Sequence, residues 1–123
     1  MKTKLLAAAL LAIVPVGAAQ AMDVAAFLAK ADALQKKGMM ALFSSDYKAL
    51  KAEIVAHSQT LRNERLAAER SGRRPAYCPP RKSGLNSDEI LAAFRSIPAA
   101  QRPRTPVKDA LRALLVRKYP CRG

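Results

Sequence analysis

The chain contains one histidine, His57, and two cysteines, Cys78 and Cys121, among 123 residues. General acid–base and nucleophilic catalysis need a base within reach of its partner, most often a histidine. A single histidine on the flank of an expected helix assembles no triad, so His57 reads as a polar surface residue and no catalytic residue is assigned. It also lacks companions for a metal, because the two cysteines lie far along the chain, and neither a metal nor another cofactor is expected. Acidic residues are scarce, nine against twenty-two lysines and arginines. The adjacent acids Asp88 and Glu89 suit a helix start, where capping and the helix dipole explain them; adjacent helical positions point apart, which excludes a pair of carboxylates facing across a cleft. Aromatics are few, three tyrosines and three phenylalanines. With no recognisable reader motif as well, nucleic acid is not expected as a partner despite the basic composition. There is no sustained strand-like alternation and no repeat of solenoid period, which leaves an all-α chain.

What is present begins with an export signal. Lys2 and Lys4 form a positive start, Leu5 to Val14 an apolar run of roughly ten residues, and Pro15 and Gly17 precede Ala19-Gln20-Ala21, a small-residue cleavage pattern. A membrane-spanning helix needs roughly 20 apolar residues, so residues 1–21 read as a signal peptide rather than an anchor. Met22 follows the cut, so no lipid-bearing cysteine stands there. The expectation is a periplasmic or secreted protein whose residues 22–123 form one small domain. In an oxidising compartment Cys78 and Cys121 are expected to pair, closing a loop of about 44 residues and stabilising the fold by about 4 kcal/mol in the chain-entropy account. Two buried free thiols are the alternative. Loss of Lys2 and Lys4 lowers the formal charge from +13 to +11, and nearly all of that excess lies beyond Leu61.

Apolar spacing and capping residues predict a small bundle of four to five helices over about 24–37, 46–70, 87–96 and 106–119. Asp23 caps the first, whose Val24, Phe27, Leu28, Ala31 and Leu34 recur at steps of three and four. Gly38 ends it. Met39 to Phe43 is too apolar for a free loop and reads as a buried turn or one short helical piece. Ser44 or Ser45 caps the long second helix, with Tyr47, Leu50, Ile54 and Leu61 facing inward and Lys48, Lys51, Glu53, Arg62, Glu64, Arg65 and Glu69 on a solvated side. Ser71-Gly72 stops it. Asn86 with Glu89 resembles a capping box for the third helix, with Leu85, Ile90, Leu91 and Phe94 as its apolar contacts and Pro98 closing it. Thr105-Pro106 reads as an N-cap and first-turn pair for the last helix, whose inner face is Val107, Ala110, Leu111, Leu114 and Leu115.

Between the second and third helices, three prolines and a glycine exclude regular helix and leave an extended or turning segment. Arg73, Arg74, Arg81 and Lys82 around Tyr77 make this the candidate partner-binding surface, since guanidinium groups beside a tyrosine suit acidic or mixed protein epitopes. A solvated cationic loop is the plain alternative for each residue. Anionic envelope polymers or lipid headgroups also match the charge.

The series Tyr77-Cys78-Pro79-Pro80, Asn86-Ser87-Asp88-Glu89-Ile90-Leu91, Ile97-Pro98 and Ala110-Leu111 through Tyr119-Pro120-Cys121 resembles the Rap/Tai family of type VI secretion immunity proteins. In that family a Cys-Pro precedes a helix pair, a proline follows the first helix, and an Ala-Leu helix ends in aromatic-Pro-Cys. The resemblance implies that residues 77–121 form a disulfide-closed module, with the family's cysteines falling on Cys78 and Cys121. It further implies a small periplasmic helical protein, often a homodimer, that inhibits a secreted peptidoglycan amidase by occluding its active-site cleft. Family members often carry more cysteines in the first half; this chain has none before Cys78, and residues 22–70 stand outside the resemblance. The competing expectation is a small structural or chaperone-like envelope protein that holds anionic surfaces or unfolded clients.

Overall fold

The computed structural model describes residues 22–122. The expected signal peptide, residues 1–21, lies outside them. Four α-helices, α1 (Val24–Lys36), α2 (Ser45–Arg70), α3 (Ser87–Ser96) and α4 (Val107–Lys118), are joined by loops and by two 3-10 turns, Gly38–Phe43 and Arg102–Arg104. The fold is all-α. Among the described residues there is no strand beyond an isolated bridge between Asp23 and Pro106, and no helix is long and apolar enough to cross a membrane.

Three of the four α-helices, α1, α2 and α3, start where a side chain takes up an otherwise unpaired backbone N–H. Asp23 accepts from the Ala26 amide at 2.8 Å, Ser44 from Asp46 at 3.2 Å and Asn86 from Glu89 at 2.8 Å. The Asn86 side-chain amide also donates to the Glu89 carboxylate at 3.0 Å. The start of α4 departs from the expected pattern. Thr105 does not cap it, because its hydroxyl donates to the Gln101 carbonyl at 2.8 Å within the preceding 3-10 turn. Pro106 occupies the cap position instead, and its carbonyl accepts from the Asp109 and Ala110 amides.

Helix α1 fills the centre. Val24, Phe27, Leu28, Ala31 and Leu34 are all buried, and Phe27 meets Phe94 of α3 edge-to-face with ring centroids 5.1 Å apart. Val107, Ala110 and Leu111 of α4 and Ile90 of α3 complete the core. Two hydrogen bonds clasp residues 22–24 to the chain at the start of α4: Val24 N donates to Thr105 O at 2.9 Å, and Val107 N donates to Met22 O at 3.0 Å. The Met22 nitrogen donates to Glu53 Oε1 at 3.2 Å, the same oxygen that pairs with His57 Nε2 at 2.8 Å.

Helix α2 is held differently. Only Leu50 and Leu61 are buried along its length, with Ile54 packed partly against the core. Tyr47, expected inside, is 38% exposed because it lines an open groove rather than the closed core. Glu64 and Arg65, expected on a solvated side, are both engaged. Glu64 takes Lys108 and Arg112 of α4 at 2.5 and 3.1 Å, and Arg65 packs on Tyr77. Met39 to Phe43 is indeed a short helical piece, but it is not buried. In so short a 3-10 turn with three residues per turn, Ala41 is the side chain that packs against the core, and Met39, Met40, Leu42 and Phe43 are exposed.

Cys78 and Cys121 form a disulfide across 43 positions. Loop closure of that length predicts that the doubly substituted Cys78→Ser/Cys121→Ser chain loses about 4 kcal/mol of unfolding free energy, checked by urea titration; an unchanged midpoint would show that the cross-link does not constrain the unfolded chain. A second outcome concerns acid. Hydrogen bonds from Lys108 and then Arg112 hold the Glu64 carboxyl below its usual range. A lowered folded-state value adds stability above the unfolded value, and that stability is lost as pH falls through the lowered one. Because the group is about half exposed, the gain is only a few tenths of a kcal/mol. Glu64→Gln is therefore expected to melt below wild type at about pH 7 and to approach it near pH 3.

Candidate functional site

Residue Gly72, at φ 73°, turns the chain away from the end of α2, a conformation that suits glycine. Arg73 N then donates back to Ala68 O at 2.8 Å, and the Arg73 guanidinium donates to the Ser71 hydroxyl at 2.9 Å. Arg74 reaches across the module and donates to Cys121 O at 3.1 Å. Both side chains remain exposed.

Tyr77 does not belong to the exposed surface that the sequence suggested. It is 5% exposed, with the Arg65 guanidinium 5.8 Å from its ring centroid. Arg65 also donates to Glu69 at 3.1 Å, while its Nε has no hydrogen-bond partner. An unpaired buried N–H costs roughly 1–3 kcal/mol, which a desolvated cation–π contact of up to about 2 kcal/mol largely offsets. The tyrosine is thus a packing residue that seats the loop on α2.

The following stretch is pinned at both ends to the end of α4 and the residues just after it. At one end stands the disulfide, reinforced by Cys78 N donating to Tyr119 O at 2.8 Å. At the other, Gly84 N donates to the Tyr119 hydroxyl at 3.1 Å, that hydroxyl donates to Gly84 O at 3.1 Å, and Lys118 Nζ donates to the same carbonyl at 2.8 Å. Lys118 also pairs with Glu89 at 2.7 Å, and this hydrogen bond holds its pKa above the ordinary lysine value. Between the pins lie Pro79, Pro80, Arg81, Lys82 and Ser83, of which the two prolines have fixed φ. Arg81 and Lys82 are exposed, and among the described residues neither they nor Arg73 and Arg74 form an ion pair. The result is a short, stiff, cationic loop.

Sequence reasoning found the cations and the disulfide but missed Lys118, Tyr119 and Gly84, which hold the loop. No local pattern marks a tyrosine hydroxyl that meets a backbone 35 positions away. A second concave surface opens between α1, the 3-10 turn Gly38–Phe43, α2 and α3. It is an apolar groove of about 660 Å³ lined by Leu34, Ala41, Leu42, Tyr47, Ile54 and Leu91 among others. Elsewhere, His57 is engaged with Glu53, and among the described residues no group of three or more His, Cys, Asp or Glu is placed to hold a metal ion. Comparison with known protein families, with curated proteins and with solved structures gave no match.

Tyr119→Phe removes both hydroxyl bonds to Gly84 and leaves the ring in place. It is expected to cost about 1 kcal/mol and to speed amide exchange at Gly84 without changing exchange in α1; unchanged exchange at Gly84 would mean that the disulfide alone fixes the loop.

Proposed function

We propose that the protein is an exported, non-catalytic binding protein of immunity type that inhibits a secreted peptidoglycan amidase by seating its basic loop in the enzyme's cleft. The observation that carries this reading is the loop held at Cys78 and Gly84 with Arg81 and Lys82 projecting between the pins. A loop already ordered in the free protein has little conformational entropy left to lose on docking, so more of its contact energy becomes affinity. Unpaired guanidinium and ammonium groups suit an acidic or mixed cleft rim and speed encounter with it. Export with cleavage after Ala21 would place the protein in the compartment where such an amidase acts. The Rap/Tai resemblance falls on the same residues, 77–121, that build this loop and its pins.

A second reading, a chaperone-like envelope protein that holds unfolded clients, is favoured by one observation, the apolar groove with exposed methionine and phenylalanine beside it. It predicts protection of a model client from aggregation with no tight single partner.

The inhibitor reading is tested with the mature chain and the purified amidase encoded nearest to it, by following peptidoglycan hydrolysis. Stoichiometric inhibition that weakens with salt is expected. Arg81→Glu/Lys82→Glu should weaken it about tenfold or more with the melting temperature unchanged, and His57→Ala should leave it intact. Inhibition that survives the double charge reversal would remove the loop from the mechanism, and absence of a complex at low salt would remove the amidase.

A further inference from the structure

The 3-10 turn between α1 and α2 presents four large apolar side chains to solvent: Met39 at 82%, Met40 at 68%, Leu42 at 55% and Phe43 at 80% exposure. Such a cluster marks an interaction site more often than chance surface. Of the four, only Leu42 lines the adjacent groove; Met39, Met40 and Phe43 lie outside it. A ligand confined to the groove would leave the three most exposed side chains in water, whereas an apolar phase met by the turn as a whole would take them together. Four exposed lysines flank the turn, Lys36 and Lys37 before it and Lys48 and Lys51 in the first turns of α2. Among the described residues none of them forms an ion pair, and the stretch from Lys36 to Lys51 contains one acid, Asp46. A second copy meeting this face would set the same lysines against each other.

We propose that the turn Gly38–Phe43 with Lys36, Lys37, Lys48 and Lys51 is a docking tip for an anionic phospholipid bilayer. Met39, Met40 and Phe43 enter the headgroup and upper acyl region, and the lysines remain at the level of the lipid phosphates. Each lysine brought against an anionic surface strengthens binding about fivefold, and the three apolar side chains supply the part of the affinity that salt does not screen. This surface shares no residue with the basic loop, so the proposal goes beyond the inhibitor reading and either can fail without the other.

The test is flotation of the mature chain with vesicles of phosphatidylglycerol mixed with phosphatidylcholine, and with vesicles of phosphatidylcholine alone. Binding to the anionic vesicles is expected, with little to the zwitterionic ones. Because any strongly cationic protein is attracted to phosphatidylglycerol, the apolar variant is decisive. Met40→Ser/Phe43→Ser should weaken binding about tenfold or more while leaving the melt unchanged, since both side chains are already solvated. Lys36→Gln/Lys37→Gln should weaken it to a similar degree, and Arg81→Gln/Lys82→Gln should weaken it less than either. The proposal is overturned by equal binding to both vesicle types, by binding that ignores the serine substitutions, or by no binding to either. It is also overturned if, without vesicle binding, the serine variant dissolves a dimer of the wild-type chain or an acidic amphipathic helical peptide occupies the groove.

Discussion

Covalent closure between Cys78 and Cys121 lets a thin core carry a long helix. Thirteen apolar side chains are buried among the described residues, and α2, with 26 residues, contributes two of them, Leu50 and Leu61. Beyond Leu61 no buried side chain of α2 itself remains to hold the helix. What holds it there is the Glu64 contact with Lys108 and Arg112, the Arg65 guanidinium on Tyr77, and the cross-link that keeps Tyr77 close by fixing its neighbour to the end of α4. Helix α4 is the strut on which these ties converge, held at its start by Met22 and Val24 and at its end by the sulfur bridge. A domain of roughly 100 residues has only a modest core, and this one supplements it at the periphery.

Much of this was legible from local pattern. The α1 stripe, the Asp23 and Asn86 caps and the stop at Gly72 each follow from interactions within a few residues, which spacing and side-chain chemistry report directly. Thr105 shows the limit of that logic. Its hydroxyl could serve the helix ahead or the turn behind, and the turn Arg102–Arg104, which the sequence did not announce, takes it. The exposure of Met39, Met40, Leu42 and Phe43 went unforeseen for another reason: hydropathy states what a residue prefers, not whether a neighbour is present to cover it. At the candidate site the exposed cations were readable, but the contacts of Tyr119 and Lys118 with Gly84 depend on the tertiary fold, as does the burial of Tyr77 beneath Arg65.

The two surfaces differ in physical kind. The basic loop is polar and fixed by bonds at both ends, which suits recognition of a shaped partner. The turn before α2 is apolar and held mainly through Ala41, which suits contact with a partner of no fixed shape. Arg73 and Arg74 follow the last turn of α2, while the exposed methionines precede its first, so about 39 Å of helix separates those two pairs. Arg81 and Lys82 lie nearer, since Leu85 just after them lines the groove that Leu42 also lines.

The Met22 nitrogen, 3.2 Å from a Glu53 oxygen that also meets His57, would give the proposed trimming a thermodynamic side. In the untrimmed chain that nitrogen is a neutral amide. A cut after Ala21 would turn it into a terminal ammonium already placed against a carboxylate, at the point where the chain start is laced to α4. On the proposed export reading, peptidase action would tighten the domain as well as release it, and the precursor would be the looser form, a useful property for a chain that is to be threaded across a membrane.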